Sequence, residues 1–450
     1  MPAPKHLLCL YPWLEIGGAD KFNLDLLGCL RARGWRTTIV TTLPSRHPWR
    51  IQFERVTDEI LDLAQFAPDD RPGQLIAWIR ERPIDLALIS HSGASYRLLP
   101  YLRQQLPDLP IADYCHMEEM HWENGGFPRQ SARQSRWLDR QIVSSQHLKQ
   151  WLCDAGAPAG QIEVCTTNID LADWNPDVYP RAQLRTDLQL PPEAPVVLYA
   201  GRLVPQKQPL LALKVMRQVV AAHPDVIFLI AGDGLYAGYI RGVLKHYGLT
   251  GRIRLLGAVS NQRMRELLAV SDVFFLPSEM EGISLAIFEA MAMRVVPVSA
   301  DVGGQAELVV PECGVLIRRG PNEADAYRAA LLKLLADRAT LTRWGMAARE
   351  RLQQHFRLDQ MGDRMESIFV QTINAYRGAG RRAVSATEAE AARMEMIGVA
   401  RLYETELREV EAARPTWRRR IKKAYWRLVD RGLWWLVPCI EPWRRRIQGS

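Results

Sequence analysis

Two glutamates eight positions apart mark the stretch of this chain best suited to chemistry. In residues 281–292 (EGISLAIFEAMA), Glu281 stands beside a glycine and soon after a Pro-Ser pair, whereas Glu289 lies among apolar residues. The pattern predicts a loop that opens an apolar helix, so Glu281 should lie near backbone N–H groups that favour an anion. Glu289 falls about two turns into that helix, where a carboxylate without a partner would be costly to bury. A stray solvent-facing glutamate is the alternative for such a spacing.

A pair of cations follows a second apolar run, at residues 196–200. Gly201 ends this predicted strand, and Arg202 and Lys207 lie on the loop after it. An arginine can grip phosphate oxygens with its planar fork while a lysine adds a mobile point charge, so one loop can neutralise a diphosphate. Ordinary surface charge is the alternative for both residues.

Two histidines follow predicted strands in the first part of the chain. His91 comes after DLALIS and His116 after IADYC. A lone histidine is usually structural or merely exposed, and we keep that interpretation for His91. The residues after His116 (MEEMHWENGGFPR) add carboxylates and a tryptophan, which suit an acceptor sugar because Trp faces stack on C–H surfaces and carboxylates accept hydroxyl hydrogen bonds. A metal site ranks lower, since the sequence contains no D-x-D motif.

The elements that must position these residues follow a regular alternation. Short apolar runs alternate with helical patterns, which predicts α/β structure with parallel, doubly wound sheets whose ligands lie beyond the carboxyl ends of the strands. The first run leads into Gly17 and Gly18 and then a helix over residues 19–33. Such a glycine turn lets backbone approach a ligand, and the helix N-terminus favours phosphate; a simple tight turn is the alternative. The predicted strands lie within residues 6–14, 37–42, 85–90, 111–114, 141–144, 196–201, 226–234, 253–260, 272–278 and 295–300.

Taken together, these segments resemble the retaining GT-B glycosyltransferases of family 4. Residues 281–309 resemble the donor-site signature of that family, GRLVPQK resembles its G-R-x(4)-K loop, and IGGADKF resembles its GGAE-type loop with Asp20 in place of the usual glutamate. Residues 162–170 (IEVCTTNID) resemble its strand-to-hinge segment, which implies a further strand there. The resemblance implies that Glu281 meets the transferred sugar and that Glu289 meets the ribose. The other residues for which it implies catalytic or donor contacts are His116, Arg202, Lys207, Gly18, Gly232, Gly282, Ile283, Ser284 and Leu285.

The resemblance also implies an architecture: two Rossmann-like domains that face each other across a cleft, followed by a helical extension. With 450 residues, the chain exceeds what one hydrophobic core usually serves. Ser385-x-x-Glu388 has the spacing of a capping box that opens a long helix. The predicted parts are an acceptor domain (1–172), a linker (173–195), a donor domain (196–360), a helix returning to the first domain (361–377), a helical spacer that can also pack on the body (378–413) and a basic tail (414–450).

The basic character of the chain belongs to its last 37 residues. Residues 414–450 carry eleven Lys or Arg against two acidic residues, a net charge of +9, whereas the whole chain nets +8. Five of the fourteen tryptophans lie there, on a segment with an amphipathic helical pattern. Cations and Trp on such a segment favour an anionic membrane surface; a helix packed on the body ranks second and nucleic acid third. The seven scattered cysteines and the absence of a signal-peptide pattern favour a cytosolic protein.

The expected function is retaining transfer of a sugar from a UDP-, GDP- or ADP-sugar to a hydroxyl of a glycan or lipid-linked acceptor. Cell-envelope polysaccharide assembly, such as that of lipopolysaccharide, is the expected setting. We expect neither a metal nor another cofactor, no nucleic-acid partner, and a cytoplasmic enzyme held at the inner face of the membrane. A GT-B-fold sugar-nucleotide epimerase, which needs no acceptor, is one alternative. A non-catalytic scaffold of a polysaccharide assembly complex is another, although the intact set of two cations and two glutamates speaks against it.

Overall fold

The chain forms two compact units. The computed structural model describes residues 4–377 and 383–412. Unit 1 comprises Met1–Ser144, Leu148–Cys165 and the described residues from Gly362 onward, and unit 2 comprises Ser145–His147 and Thr166–Met361. Each unit has its own sheet.

Unit 1 is built on a seven-stranded parallel sheet. Its strands are β1 (His6–Tyr11), β2 (Arg36–Thr41), β3 (Glu59–Asp62), β4 (Leu86–Ser90), β5 (Ile111–Cys115), β6 (Arg140–Val143) and β7 (Ile162–Val164). They lie in the order β3-β2-β1-β4-β5-β6-β7. The residues of β1, β4 and β5 are all buried, as expected for parallel strands covered on both faces. The connecting helices are α1 (Gly18–Ala32), α2 (Arg50–Glu54), α3 (Arg71–Arg80), α4 (Gly93–Gln105), α5 (Gly126–Arg133) and α6 (Gln146–Asp154).

Unit 2 repeats this plan with six parallel strands. They are β8 (Val196–Ala200), β9 (Ile227–Ala231), β10 (Ile253–Gly257), β11 (Val273–Leu276), β12 (Val296–Ala300) and β13 (Val315–Ile317), in the order β10-β9-β8-β11-β12-β13. The order reverses between β8 and β11, and ligands bind at such a reversal in doubly wound sheets. Its helices are α7 (Arg181–Asp187), α8 (Pro209–Ala222), α9 (Ala237–His246), α10 (Asn261–Val270), α11 (Leu285–Ala292), α12 (Gln305–Leu308), α13 (Glu323–Leu335) and α14 (Arg338–His355).

Two helices complete the described chain, α15 (Leu358–Arg377) and α16 (Ala386–Ala412). α16 packs along α4 and also touches α3. Its inward stripe is apolar and buried, and consists of Ala389, Ala392, Met396, Ile397, Ala400 and Tyr403. The backbone N–H of Glu388 donates to Ser385 Oγ at 3.2 Å, which is the predicted cap. α16 is therefore packed on unit 1 rather than projecting from it as a bare spacer.

The predicted doubly wound α/β architecture with a C-terminal helical region is confirmed. Strands β3 and β13, absent from the prediction, are short and lie at the sheet edges. Residues 173–195, predicted as a linker, contain α7 and cluster with unit 2, where Arg181 pairs with Asp272 at 2.6 Å. The predicted tail at 414–450 lies outside the described residues. Within the described part of the chain, no helix is long and apolar enough to span a bilayer.

Candidate functional site

Lys207 and Glu281 form an ion pair at the carboxyl edge of the unit 2 sheet. Lys207 lies on the loop after β8 and Glu281 on the loop after β11, and these two strands are neighbours where the strand order reverses. Lys207 Nζ lies 2.5 Å from Glu281 Oε1, and the side chains are only 17% and 7% exposed. Because both side chains are largely shielded from solvent, each charge compensates the other, and removing one would leave the other uncompensated.

Gln206 joins the same two loops. Its carbonyl accepts from the backbone N–H of Glu279 at 2.7 Å, and its side-chain amide donates to the carbonyl of Met280 at 3.3 Å. Its amide oxygen accepts from Arg202 Nη2, also at 3.3 Å. Gln206 thus orients an exposed arginine beside the Lys207–Glu281 pair. Sequence reasoning missed Gln206, because nothing in the residue pattern distinguishes it from other polar loop residues.

Two glycines allow the loops of this site to approach one another. Gly232, predicted as a donor contact, has φ +150°, and a Cβ there would lie 1.9 Å from the carbonyl oxygen of Gly201. Gly303, on the turn after β12, has φ +56°, and a Cβ there would lie 1.9 Å from the carbonyl oxygen of Glu281. Any side chain at either position would displace backbone that carries the cations or the acid. Sequence reasoning did not predict the approach of Gly303 to Glu281.

The N-terminus of α11 lies directly after Glu281. Ser284 is the N-cap residue, yet its side chain makes no capping hydrogen bond. The first backbone N–H groups of the helix therefore keep their capacity for an anion. Gly282, Ile283 and Ser284 are buried, and Leu285 opens the helix. Glu289 is half-buried and lies one turn into the helix rather than the two turns predicted, because the helix begins at Leu285 and not beside Glu281.

In unit 1, His116 lies in a cluster of aromatic rings. Its ring centroid is 4.6 Å from that of His91 and 5.0 Å from that of Phe22. Burial, and secondarily the nearby His91, lowers the pKa of His116 well below its ordinary value, while burial lowers the pKa of His91 to about 4. Both imidazoles are therefore neutral at pH 7. His116 Nε2 is buried without a hydrogen-bond partner among the described residues, so it can serve a ligand.

His91, which the sequence analysis interpreted as structural or merely exposed, lies against His116. Strands β4 and β5 are neighbours in the sheet, so residues just beyond their carboxyl ends meet. Its backbone has φ +54°, an uncommon conformation for a non-glycine residue. The strand order, once predicted, would have indicated this contact.

In the loop after His116, the tryptophan predicted to meet a sugar is buried. Trp122 is only 4% exposed, because its ring packs against Phe127 at a centroid distance of 4.7 Å in the unit 1 core. The prediction that this tryptophan presents its face to an acceptor sugar is wrong. Glu123 accepts hydrogen bonds from Arg97 at 3.0 Å and from Gln130 at 2.9 Å, so it holds the loop together.

Gly18 is the exposed first residue of α1, and no side chain caps that helix. Asp20, which replaces the glutamate of the resembling loop, accepts a hydrogen bond from the backbone N–H of Glu15 at 3.2 Å. Burial raises the pKa of Asp20 well above its ordinary value. Gly18 and His116 belong to unit 1, whereas the other predicted site residues belong to unit 2. Across residues 4–377 and 383–412, no three His, Cys, Asp or Glu side chains are grouped so as to hold a metal ion.

Two family models match most of the chain. The model described as Glycosyltransferase Family 4 matches residues 16–173, and the model described as Glycosyl transferases group 1 matches residues 180–351. The two segments coincide with the sheets of unit 1 and unit 2, apart from β1. Both models therefore describe the parts of the chain that carry the candidate residues.

Several curated relatives share about a quarter of their residues with this chain. A Corynebacterium glutamicum GDP-mannose-dependent monoacylated alpha-(1-6)-phosphatidylinositol monomannoside mannosyltransferase is 26% identical over 64% of this chain and 77% of its own length. A Mycobacterium tuberculosis GDP-mannose-dependent alpha-(1-6)-phosphatidylinositol monomannoside mannosyltransferase is 25% identical over 77% of this chain and 86% of its own.

Solved structures share the fold at low sequence identity. A glycosyltransferase from Rickettsia africae superposes with a TM-score of 0.69 at 16% identity, covering 82% of this chain and 99% of its own. The Anabaena protein HepE in complex with UDP superposes with a TM-score of 0.68 at 20% identity, covering 82% of this chain and 100% of its own. With its two parallel sheets and the two family models that match them, this chain belongs to glycosyltransferase family 4 and has the GT-B fold.

Proposed function

We propose that this glycosyltransferase moves a sugar, with retention at the anomeric carbon, from a nucleotide diphosphate sugar to a hydroxyl of a glycan or lipid-linked acceptor. The observation that carries the proposal is the buried Lys207–Glu281 pair, with Arg202 on the same loop and the uncapped start of α11 beside it. Two cations and a row of backbone N–H groups suit a diphosphate, and a carboxylate next to them suits sugar hydroxyls. No metal is required in this scheme.

The cations act on the leaving group. As the bond between the anomeric carbon and the diphosphate oxygen breaks, negative charge grows on that oxygen, and preorganised positive groups stabilise it. Arg202 is exposed, so it can meet the diphosphate from solvent. Lys207 is compensated by Glu281, so a diphosphate that draws the ammonium towards itself leaves the Glu281 carboxylate able to accept a sugar hydroxyl.

Retention follows if the acceptor attacks from the face that the diphosphate leaves. The acceptor oxygen then bonds to the anomeric carbon while its proton passes to the departing phosphate oxygen. In this step the acceptor oxygen itself forms the new bond, so no covalent intermediate on Glu281 is needed. His116, a neutral imidazole with a buried nitrogen available, is suited to a hydrogen bond with the transferred sugar.

A thermal-shift screen of UDP, GDP, ADP and CDP tests the proposal. We expect one nucleotide to raise the melting temperature of the full-length protein, since a ligand at 100 times its Kd stabilises the folded state by about 2.7 kcal/mol. GDP and UDP come first, because the relatives named above include GDP-mannose-dependent enzymes and a protein with bound UDP. Absence of any shift, together with absence of sugar release from the corresponding nucleotide sugars, would contradict the proposal.

We further propose that residues 414–450 hold the enzyme on the cytoplasmic face of an anionic membrane, where a lipid-linked precursor of an envelope polysaccharide would be the acceptor. The support is the net charge of +9 and the five tryptophans of this segment. Each cation contributes about 1 kcal/mol near an anionic leaflet, and Trp favours the interface.

Deletion of residues 414–450 should abolish co-sedimentation with vesicles that contain phosphatidylglycerol. Vesicles of phosphatidylcholine alone serve as the control, and the intact chain should bind them much less because they lack the charge that the tail would meet. Equal sedimentation of the intact and shortened chains with anionic vesicles would rule out the anchor.

A further inference from the structure

α16 lies outside both segments that match the family models, yet its Glu395 contacts Arg97 of α4, which also bonds to Glu123 in the loop after His116. We propose that α16 supports the loop formed by residues 117–126, that Arg97 is the positioning residue through which it does so, and that this support sets the orientation of His116. The role assigned to His116 rests on the proposed function, but the support itself does not.

Arg97 bridges two carboxylates from different parts of the chain. From α4, its Nε donates to Glu395 of α16 and its Nη2 donates to Glu123 of the loop, both at 3.0 Å. Its Nη1 donates to the carbonyl of Gly93 at 3.2 Å, which anchors the guanidinium to the start of its own helix. Because the guanidinium is planar and its donors point in fixed directions, the position of Glu395 limits where Arg97 can hold Glu123.

The loop needs such support because its backbone is strained. Four consecutive residues have positive φ: Glu123 (+48°), Asn124 (+52°), Gly125 (+138°) and Gly126 (+65°). The first two are not glycines, so the left-handed conformation is unfavourable for them unless their surroundings hold it. Glu123 is the residue that Arg97 and Gln130 hold. Loss of one of these bonds should let the segment relax.

A continuous line of rings connects this loop to His116. Trp122 packs edge-to-face against Phe127 at 4.7 Å, and Phe127 stacks on His91 with 4.7 Å between centroids. His91 in turn meets His116 at 4.6 Å. A shift of the strained turn moves Trp122 and Phe127, and close-packed rings pass such a shift to their neighbours. The orientation of His116 therefore depends on a helix far away in sequence.

Hydrogen–deuterium exchange of the full-length protein, without nucleotide, tests the support. Glu395→Gln should speed exchange in peptides covering residues 117–126 about threefold, the size expected for losing a partly exposed ion pair. The amides to follow are those of Trp122, Gly125 and Gly126, which bond within the loop. Glu388→Gln is the matched control, since Glu388 also pairs α16 with an arginine of unit 1, Arg136, outside this loop.

Arg97 variants separate positioning from a general need for positive charge. Arg97→Met should reproduce the effect of Glu395→Gln, and the double variant should add nothing to Arg97→Met alone. Arg97→Lys should not rescue the loop, because one ammonium cannot hold both carboxylates in fixed directions. As a second readout, the ring ¹H–¹⁵N signals of His116, assigned with His116→Gln, should shift in Glu395→Gln and not in Glu388→Gln.

Two results would overturn the inference: unchanged exchange and unchanged His116 signals in Glu395→Gln, or equal changes in Glu388→Gln. Nucleotide affinity, measured by calorimetry, should stay unchanged in Glu395→Gln because Lys207 and Glu281 belong to unit 2. If no variant and no intact protein binds a nucleotide, the proposed function fails, whereas the exchange result still decides the role of Arg97.

Discussion

Lys207→Met is expected to lower sugar transfer by a factor of about 100 to 1,000, as does removal of a single group that stabilises transition-state charge in other enzymes. The loss should appear in kcat, because charge on the leaving diphosphate grows only as the bond breaks. Glu281→Gln should lose activity to a similar degree, since it removes the carboxylate proposed to meet the sugar and releases Lys207 from its 2.5 Å contact. The measurement is the rate at which the nucleoside diphosphate is released from the sugar donor whose nucleotide the thermal-shift screen identifies.

A matched control separates this effect from a general loss of lysine charge. Lys214 is exposed on α8, the helix that follows the Lys207 loop, and Lys214→Met should retain wild-type turnover. The double variant Lys207→Met/Glu281→Gln should be more stable than Lys207→Met alone, because no buried charge is left unpaired, yet it should remain inactive. Wild-type turnover in Lys207→Met would refute the assignment of the site.

Glu404→Gln is expected to lower the free energy of unfolding by about 3 kcal/mol. Arg71 is 0% exposed and pairs with Glu404 of α16. Its Nε and Nη2 also reach the carbonyls of Phe66 and Ala64, whereas its buried Nη1 has no hydrogen-bond partner among the described residues. Loss of the partner leaves a guanidinium inside unit 1 without its countercharge. The value is at the low end for broken buried pairs, because Glu404 is 21% exposed and water can partly replace it. Urea denaturation is the measurement.

Arg401→Gln provides the control on the same helix. Arg401 pairs with Asp69 at 2.6 Å, but both side chains are 57% exposed. Exposed pairs contribute little, so the change in unfolding free energy should stay within about 0.5 kcal/mol. Equal losses in Arg401→Gln and Glu404→Gln would mean that Arg71 does not depend on its countercharge.

The architecture could be predicted because buried parallel strands appear in the sequence as continuous apolar runs. Residues 196–200 and 272–276 are examples: each is apolar apart from Asp272 and is followed by a polar or glycine-rich loop. The prediction of Lys207 and Glu281 as one site combined a family resemblance with their places after two such strands. Neither strand pattern indicates that the two side chains touch, because contact depends on which strands are neighbours in the sheet.

Other features depend on tertiary packing that no local pattern expresses. Trp122 was predicted as a sugar platform from its polar neighbours, but the gain from burying a large aromatic ring against Phe127 decides its position. α7 was not predicted because it lies in a proline-rich stretch. Arg181 and the buried Arg185 hold this helix in place by donating to carbonyls at the end of α10. The ion pairs of α16 with unit 1 were not predicted either, because its acidic residues bind arginines that lie about 300 positions earlier in the chain.

The burial of Arg71 under α16 bears on how a shorter version of this enzyme should be made. A cut after Arg377, the predicted end of the two-domain body, would expose the surface of α4 that α16 covers and would remove the counterion of the buried Arg71. A cut after Ala412 removes the basic tail and keeps that helix. For crystallisation or cell-free assays, the safe boundary is therefore Ala412, the end of α16, and not residue 351, where the second family model ends.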